Sequence, residues 1–446
     1  MKKTIFLPVL AMGLLLASPA NIYAEGWSKS GSDWVYLDKN NNKETEEWRK
    51  GADDKWRYLN SYGVMATKEW VDNDNYYVDE QGLIVEGWKQ LSDEGKSYWA
   101  YFQPGGKAVK VAWKKIGDKQ YYFDENGKML TGWILDNNYY TKEDGSMATG
   151  WMKLLPPDSE APTGGPNSSS AAKWFYFQST GRKFKPELAN GMRYGEKRID
   201  GAKYAFNENG ELAIGWVQVS GDSNPTIKNF KYYNEDGTLR TGWYSLEPPE
   251  ALAGKYEHLV EWFYFSTVGE PYAAKAAKLT EDDFVKINGK QYLFDQNGTP
   301  LYGIQKVYQG NNYYAYYLGT SSQCYIIKGK QNVKENSDTT EEYYFQNSNG
   351  RGLTGVRDSK LYYKGRLVKA NASVKYQVFA IPNENGNGNT NYVVSSSGKI
   401  VHNSKVKDVD KVEYKTDASG VLTAIDGDTN IKGTFEIPVE PAWARE

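Results

Sequence analysis

The sequence has a single cysteine and two histidines among 446 residues, and this scarcity removes several function classes. Cys324 alone can form neither an intramolecular disulfide nor a cysteine cage for a metal. His258 and His402 are too few for a multi-histidine site, and no metal or other cofactor is expected. The Asp-x-Asn-Gly stretches lack the ligand spacing and closing Glu of a calcium loop, so they read as turns. An excess of one charge is missing too. Lys and Arg number 54 against 56 Asp and Glu, a net charge of −2 that leaves no basic footprint for nucleic acid. Helical periodicity is absent. No pair of carboxylates stands out as a glycosidase dyad and no nucleophile–base set is evident, so the chain reads as a binding protein and not an enzyme. Beyond the N-terminal leader, no apolar run is long enough to span a bilayer.

That leader is the one apolar stretch present. Lys2 and Lys3 precede the nearly unbroken run Ile5 to Ala17, and small and polar residues continue to Ala24. The order is that of a secretory signal peptide over 1–24, so the chain is expected to be secreted and associated with the cell wall or surface. The compositional outlier is aromatic content. Phe, Trp and Tyr make up 15% of residues, with 36 Tyr and 15 Trp. A chain with this balance stabilises itself by ring packing distributed along its length.

The aromatics recur. Gly-Trp and similar dipeptides end at Trp27, Trp48, Trp70, Trp88, Trp113, Trp133 and Trp151, 18 to 25 residues apart. Between them stand an aromatic cluster, a polar pair, a Gly and a short apolar tail, as in Gln120 to Met129 and Asn138 to Met147. Each unit predicts strand, tight turn, strand. One hairpin alone is marginal in water, so the units must stack. The expected fold is all-β, an elongated solenoid of stacked hairpins. A slower rhythm lies over the repeat. From Trp99 onward, the residue opening each tyrosine cluster is Trp at every third hairpin: Trp99, then Trp174, then Trp262, with Gln120, Asn138, Lys203 and Lys231 between. This suggests about three hairpins per superhelical turn. The pattern holds to about residue 370, and 371–446 reads as degenerate repeats or a β-rich C-terminal cap.

The unit Gly-Trp, then Trp/Gln-Tyr-Tyr-Phe-Asp-x-x-Gly-x-Met, then Thr-Gly-Trp resembles the cell-wall-binding, or choline-binding, repeat family of Gram-positive bacteria, related to the repeats of glucan-binding enzymes and clostridial toxins. The resemblance covers residues 26 to 365 and is strongest from Trp27 to Trp243. It implies a non-catalytic surface protein whose ligand sites lie between consecutive hairpins and hold choline on teichoic acid in aromatic cages. A quaternary ammonium donates no hydrogen bond, so ring faces are its natural receptor. Carried over by position, Trp27, Trp34 and Tyr58 make one cage, Trp48, Trp56 and Tyr77 a second, and Trp88, Trp99 and Tyr122 a third. Trp151 with Trp174, and Trp243 with Trp262, meet Ala205 and Leu293 at the third wall and are either lost or adapted to a flatter ligand such as a sugar ring. Two other readings stand beside this one: a carbohydrate-binding protein stacking tryptophans on glucans or host glycans, and a structural spacer or adhesin.

Overall fold

The computed structural model describes residues 25–158, 170–335, 339–383, 387–441 and 443. The expected signal peptide lies outside the described residues. The chain is all-β, apart from short 3-10 turns, and its basic element is the two-stranded antiparallel hairpin. Among the described residues no helix is long and apolar enough to cross a membrane.

The hairpins form because their turns satisfy themselves. At 124–128 the Asp124 carboxylate accepts the backbone N–H groups of Asn126 and Lys128, both at 2.8 Å, while Gly127 N–H donates to Asp124 O. Asp79, Asp295 and Asp417 repeat this arrangement, and Asp408 does so with Lys411 in place of the glycine. The acids of the Asp-x-x-Gly stretches are therefore engaged by main-chain donors. Gly145 sits at φ 77°, and a Cβ there would run into the Met129 side chain of the preceding hairpin. The glycine thus provides both the turn and a seat for its neighbour.

The described residues fall into two compact units, one within Met1–Pro186 and Phe206–Leu212, the other within Glu187–Ala205 and Ala213–Glu446. The first contains the hairpins from Gly26–Ser30/Asp33–Leu37 to Gly150–Leu154/Lys173–Phe177. The second continues the hairpin pattern, as in Gly242–Leu246/Glu261–Phe265 and Ile304–Gln309/Asn312–Tyr317. It then widens to a five-stranded sheet from Gly329–Lys334 through Lys360–Tyr363 to Gly355–Arg357. Residues 371–446 hold the hairpin Tyr376–Pro382/Asn389–Ser395 and a three-stranded sheet of Lys405–Lys407, Glu413–Thr416 and Leu422–Ile425. Trp443 returns to earlier strands, its indole N–H donating to Tyr343 Oη at 2.9 Å.

A two-stranded sheet has no interior of its own, so the core lies between hairpins. Phe102, Phe123, Phe177, Phe206, Phe265 and Phe294, each closing its aromatic cluster, are essentially buried. Truncating one to Ala would cost about 3–5 kcal/mol. A main-chain bond joins neighbouring hairpins as well. In most hairpins the N–H two residues past the turn Gly donates to the carbonyl of the residue opening the previous cluster. The pairs are Met65 to Trp34, Ala108 to Asn75, Met129 to Trp99, Met147 to Gln120, Lys183 to Asn138, Leu212 to Trp174 and Leu239 to Lys203. Pro271 and Pro300 occupy the donor position further on and have no N–H to give. The cluster-opening residue therefore works structurally through its carbonyl, whichever side chain it carries.

Candidate aromatic-cage sites

Each hairpin presents two faces, and strand alternation decides which ring goes where. The registers pair Trp27 with Tyr36, Trp48 with Tyr58, Trp70 with Tyr77, Trp88 with Tyr101 and Trp113 with Tyr122. The Gly-Trp tryptophan, the cluster-opening residue and the second residue after that opener thus share the forward face. The first and third residues after it point backward, onto the preceding hairpin's tryptophan.

This alternation moves the third wall by one residue from the expected position. Tyr58, Tyr77 and Tyr122 lie against their own hairpins' tryptophans, Trp48, Trp70 and Trp113, at 5.0, 5.8 and 5.3 Å between ring centroids. The rings brought to the tryptophans from the next hairpin are Tyr76 on Trp48 at 5.4 Å and Tyr121 on Trp88 at 4.9 Å. The expected Tyr58, Tyr77 and Tyr122 are the tyrosines that share a face with their own cluster's opening residue. The ring that closes a gap between two hairpins must instead come from the opposite face of the second.

The fullest assembly surrounds Trp88. Trp99 stands 6.3 Å away at 90°, Tyr101 at 5.2 Å and 68°, and Tyr121 at 4.9 Å and 76°. Rings near right angles act as adjoining walls and do not form a stack. Trp99 is 44% exposed, so the assembly opens to solvent. The same arrangement recurs at Trp243, with Trp262 at 6.5 Å, Tyr264 at 5.1 Å and Tyr292 at 5.2 Å. Here the third wall is Tyr292, and Leu293, expected there, is fully buried on the other side of the strand. Trp243, Trp262 and Tyr292 line a cleft of about 410 Å³ together with Pro300 and Ser321 to Cys324. Trp262 is 53% exposed. The Cys324 thiol is buried and donates to Ser321 O at 3.2 Å, and burial pushes its pKa up.

The other predicted groups differ from these. Trp27 and Trp34 line a larger cleft of about 580 Å³ with Gly51, Ala52, Asp53, Arg57, Met65, Glu80 and Gln81. The backward-facing first position is Arg57 here, so no tyrosine closes it. Arg57 forms a two-pronged pair with Asp53 at 2.7 and 2.8 Å, and this guanidinium holds the Asp53 carboxyl well below the usual range. A Cβ on Gly51 would collide with the Arg57 guanidinium, so the bare Cα is its seat. At Trp151 the register pairs Tyr176 opposite and sets Trp174 opposite Lys153, while Phe206 stacks on Trp151 at 5.8 Å and 17°. Trp56 pairs with Lys50, whose ammonium lies 5.8 Å from its ring centroid. Among the described residues no group of three or more His, Cys, Asp or Glu could hold a metal ion.

Comparison with known proteins agrees with this repeat anatomy. Residues 43–83 and 111–151 match the choline-binding repeat, and residues 282–299 match the putative cell wall binding repeat. Glucosyltransferase-S of Streptococcus mutans is 28% identical over 243 residues, covering 42% of this chain and 16% of that enzyme. Glucosyltransferase-S of Streptococcus downei is 27% identical over 255 residues, covering 51% of this chain and again 16% of the enzyme. The chain thus spans about a sixth of the length of these curated relatives. Among solved structures, the modular autolysin LytC of Streptococcus pneumoniae matches at 20% identity and a TM-score of 0.37, over 62% of this chain and 52% of that one. Choline binding protein F of the same organism matches at 22% identity and a TM-score of 0.33, over 76% of this chain and all of its own. Over these three segments, residues 43–83, 111–151 and 282–299, the chain carries repeats of the choline-binding, or cell-wall-binding, family.

Proposed function

We propose that the chain is a secreted, surface-associated binding protein that holds choline groups of a wall polymer in the aromatic cages around Trp88 and Trp243, with Trp48, Trp56 and Tyr76 as a further site. The observation that carries this reading is the set of rings at Trp88, drawn from two hairpins and meeting nearly at right angles beside a partly exposed Trp99. Each face contributes about 0.5–2 kcal/mol toward a quaternary ammonium. Single sites of that strength bind weakly, and several on one polymer raise the overall avidity. The role assigned is binding, and the turn aspartates Asp79 and Asp124 are given to holding main-chain N–H groups.

A second reading applies at Trp27 and Trp34. Arg57 takes the place of an aromatic wall there, which removes one of the ring faces that a quaternary ammonium would use. Two indoles beside an Arg–Asp pair and Gln81 suit a hydroxylated, uncharged ring such as a sugar of a glucan or host glycan. The test is a tryptophan-fluorescence titration of the full chain with choline, in parallel with soluble α-glucan. Saturation by choline that Trp99→Ala and Trp262→Ala weaken supports the first reading. Saturation by glucan alone, abolished by Trp34→Ala, would replace it with the second.

A further inference from the structure

Lysine is out of place at position 183. In the repeats, the residue two past the turn Gly is mostly apolar: Met65, Ile84, Ala108, Met129, Met147, Leu212 and Leu239. Its side chain turns into the seam between hairpins, as Met129 and Met147 do against Gly145 and Gly181. Lys183 keeps the main-chain duty of the position, donating its N–H to Asn138 O at 2.7 Å. It nevertheless brings an ammonium into the seam.

The surroundings of that ammonium are aromatic. Lys183 Nζ lies 4.6 Å from the Trp133 ring centroid and 5.4 Å from that of Phe175. These rings stand 5.0 Å apart at 78°, the relation that Trp88 has with Tyr121. Trp133 is the Gly-Trp ring of its hairpin, and Phe175 is the backward-facing first position of the next. They occupy the same places as two walls of the Trp88 cage. The third place, filled there by Trp99, is here Asn138, whose carboxamide turns away to donate to Leu135 O at 3.0 Å. Lys183, Trp133 and Phe175 are all at most 5% exposed. Among the described residues the ammonium makes no ion pair or hydrogen bond, and the charged groups acting on it are Lys185 and Glu211. A buried ammonium without a carboxylate is costly unless something else stabilises it, and two ring faces within 6 Å can do so.

We infer that the Trp133–Phe175 junction is a cation site of the same type as the open cages, filled from within by the side chain of Lys183. The ligand class it accepts is a primary alkylammonium, and the protein supplies its own. Desolvation, then Lys185, lowers the Lys183 pKa to about 8, so the group is mostly protonated at neutral pH. The inference stands apart from the choline reading, because it concerns a closed junction and is read by stability and not by polymer binding.

The experiment is chemical rescue in the full chain at pH 7. Lys183→Ala removes the equivalent of n-propylammonium beyond Cβ. The thermal midpoint of this variant is followed against n-propylammonium chloride, with 1-propanol as the uncharged probe of similar size. The inference expects a saturable rise with propylammonium, larger than in the native chain, and little with propanol. Equal rescue by both probes, or by neither, overturns it, since the junction would then select apolar volume or nothing. If the variant does not fold, the native chain is labelled at lysine Cε and examined by NMR. A ring-current-shifted Lys183 signal lost in Lys183→Met supports the inference, and an unshifted one overturns it.

Discussion

The displaced third wall yields a test in which two adjacent tyrosines must behave oppositely. Tyr121 faces backward onto Trp88, and Tyr122 faces forward onto Trp113. Replacing Tyr121 with Leu keeps apolar bulk in the strand and removes one ring face from the cage. Loss of one face is worth about 0.5–2 kcal/mol, so choline affinity at this site should fall roughly 2- to 30-fold. Tyr122→Leu leaves the cage rings in place. It removes an edge-on contact with Trp113 worth about 0.5–1.5 kcal/mol, felt as lost stability and not lost affinity. Because several cages titrate together, the assay follows the indole N–H signals of Trp88 and Trp99 by NMR during choline addition, with thermal unfolding alongside. The reasoning fails if Tyr122→Leu weakens binding at these two signals while Tyr121→Leu does not.

Further outcomes follow from other parts of the structure. Arg57→Tyr restores an aromatic wall beside Trp27 and Trp34 and should raise choline affinity at that cleft by roughly 2- to 30-fold, read from the Trp27 indole signal. An unchanged affinity would mean that Arg57 does not stand at the wall position. Gly145→Ala should destabilise by about 1–3 kcal/mol, combining positive-φ strain with a clash on Met129, whereas Gly150→Ala, also at positive φ but with open space around it, should cost only about 1 kcal/mol. Denaturant unfolding of the pair checks this, and equal losses would exclude the clash. The pH dependence has a definite sign at Lys183. Its folded pKa, about 8, lies below the free value of 10.5, so between these values the unfolded chain binds more protons. Stability should therefore rise from pH 8 to 10.5, by about 1–3 kcal/mol relative to Lys183→Met, a comparison in which the tyrosine titrations cancel. A flat difference would mean that the ammonium is not sequestered.

The repeat period, the all-β class and the tight turns were legible because each is written locally, in Asp-x-x-Gly turns and in rings two residues apart. The meeting of Trp88 with Trp99 and of Trp243 with Trp262 was legible for the same reason. What could not be read from one hairpin was which ring its neighbour contributes. The leading Trp shares a face with the second Tyr inside a hairpin, and that local rule pointed to Tyr58, Tyr77 and Tyr122. The gap between hairpins is closed by the opposite face, which brings in Tyr76, Tyr121 and Tyr292 and puts Arg57 where a ring was expected. Lys183 left a signal in the sequence, a lone cation in a column of apolar residues. Its significance depends on the Trp133 face, contributed by the preceding hairpin, together with that of Phe175 in its own.

The bond between neighbouring hairpins has an evolutionary consequence. Because the cluster-opening residue is fastened through its carbonyl, Trp34, Trp99, Gln120, Asn138 and Lys203 are held equally well by the next hairpin. A single codon change at such a position can therefore create or erase an aromatic side chain without loosening the attachment between repeats. The number of ligands such an array carries can drift along a lineage while its scaffold stays under separate selection.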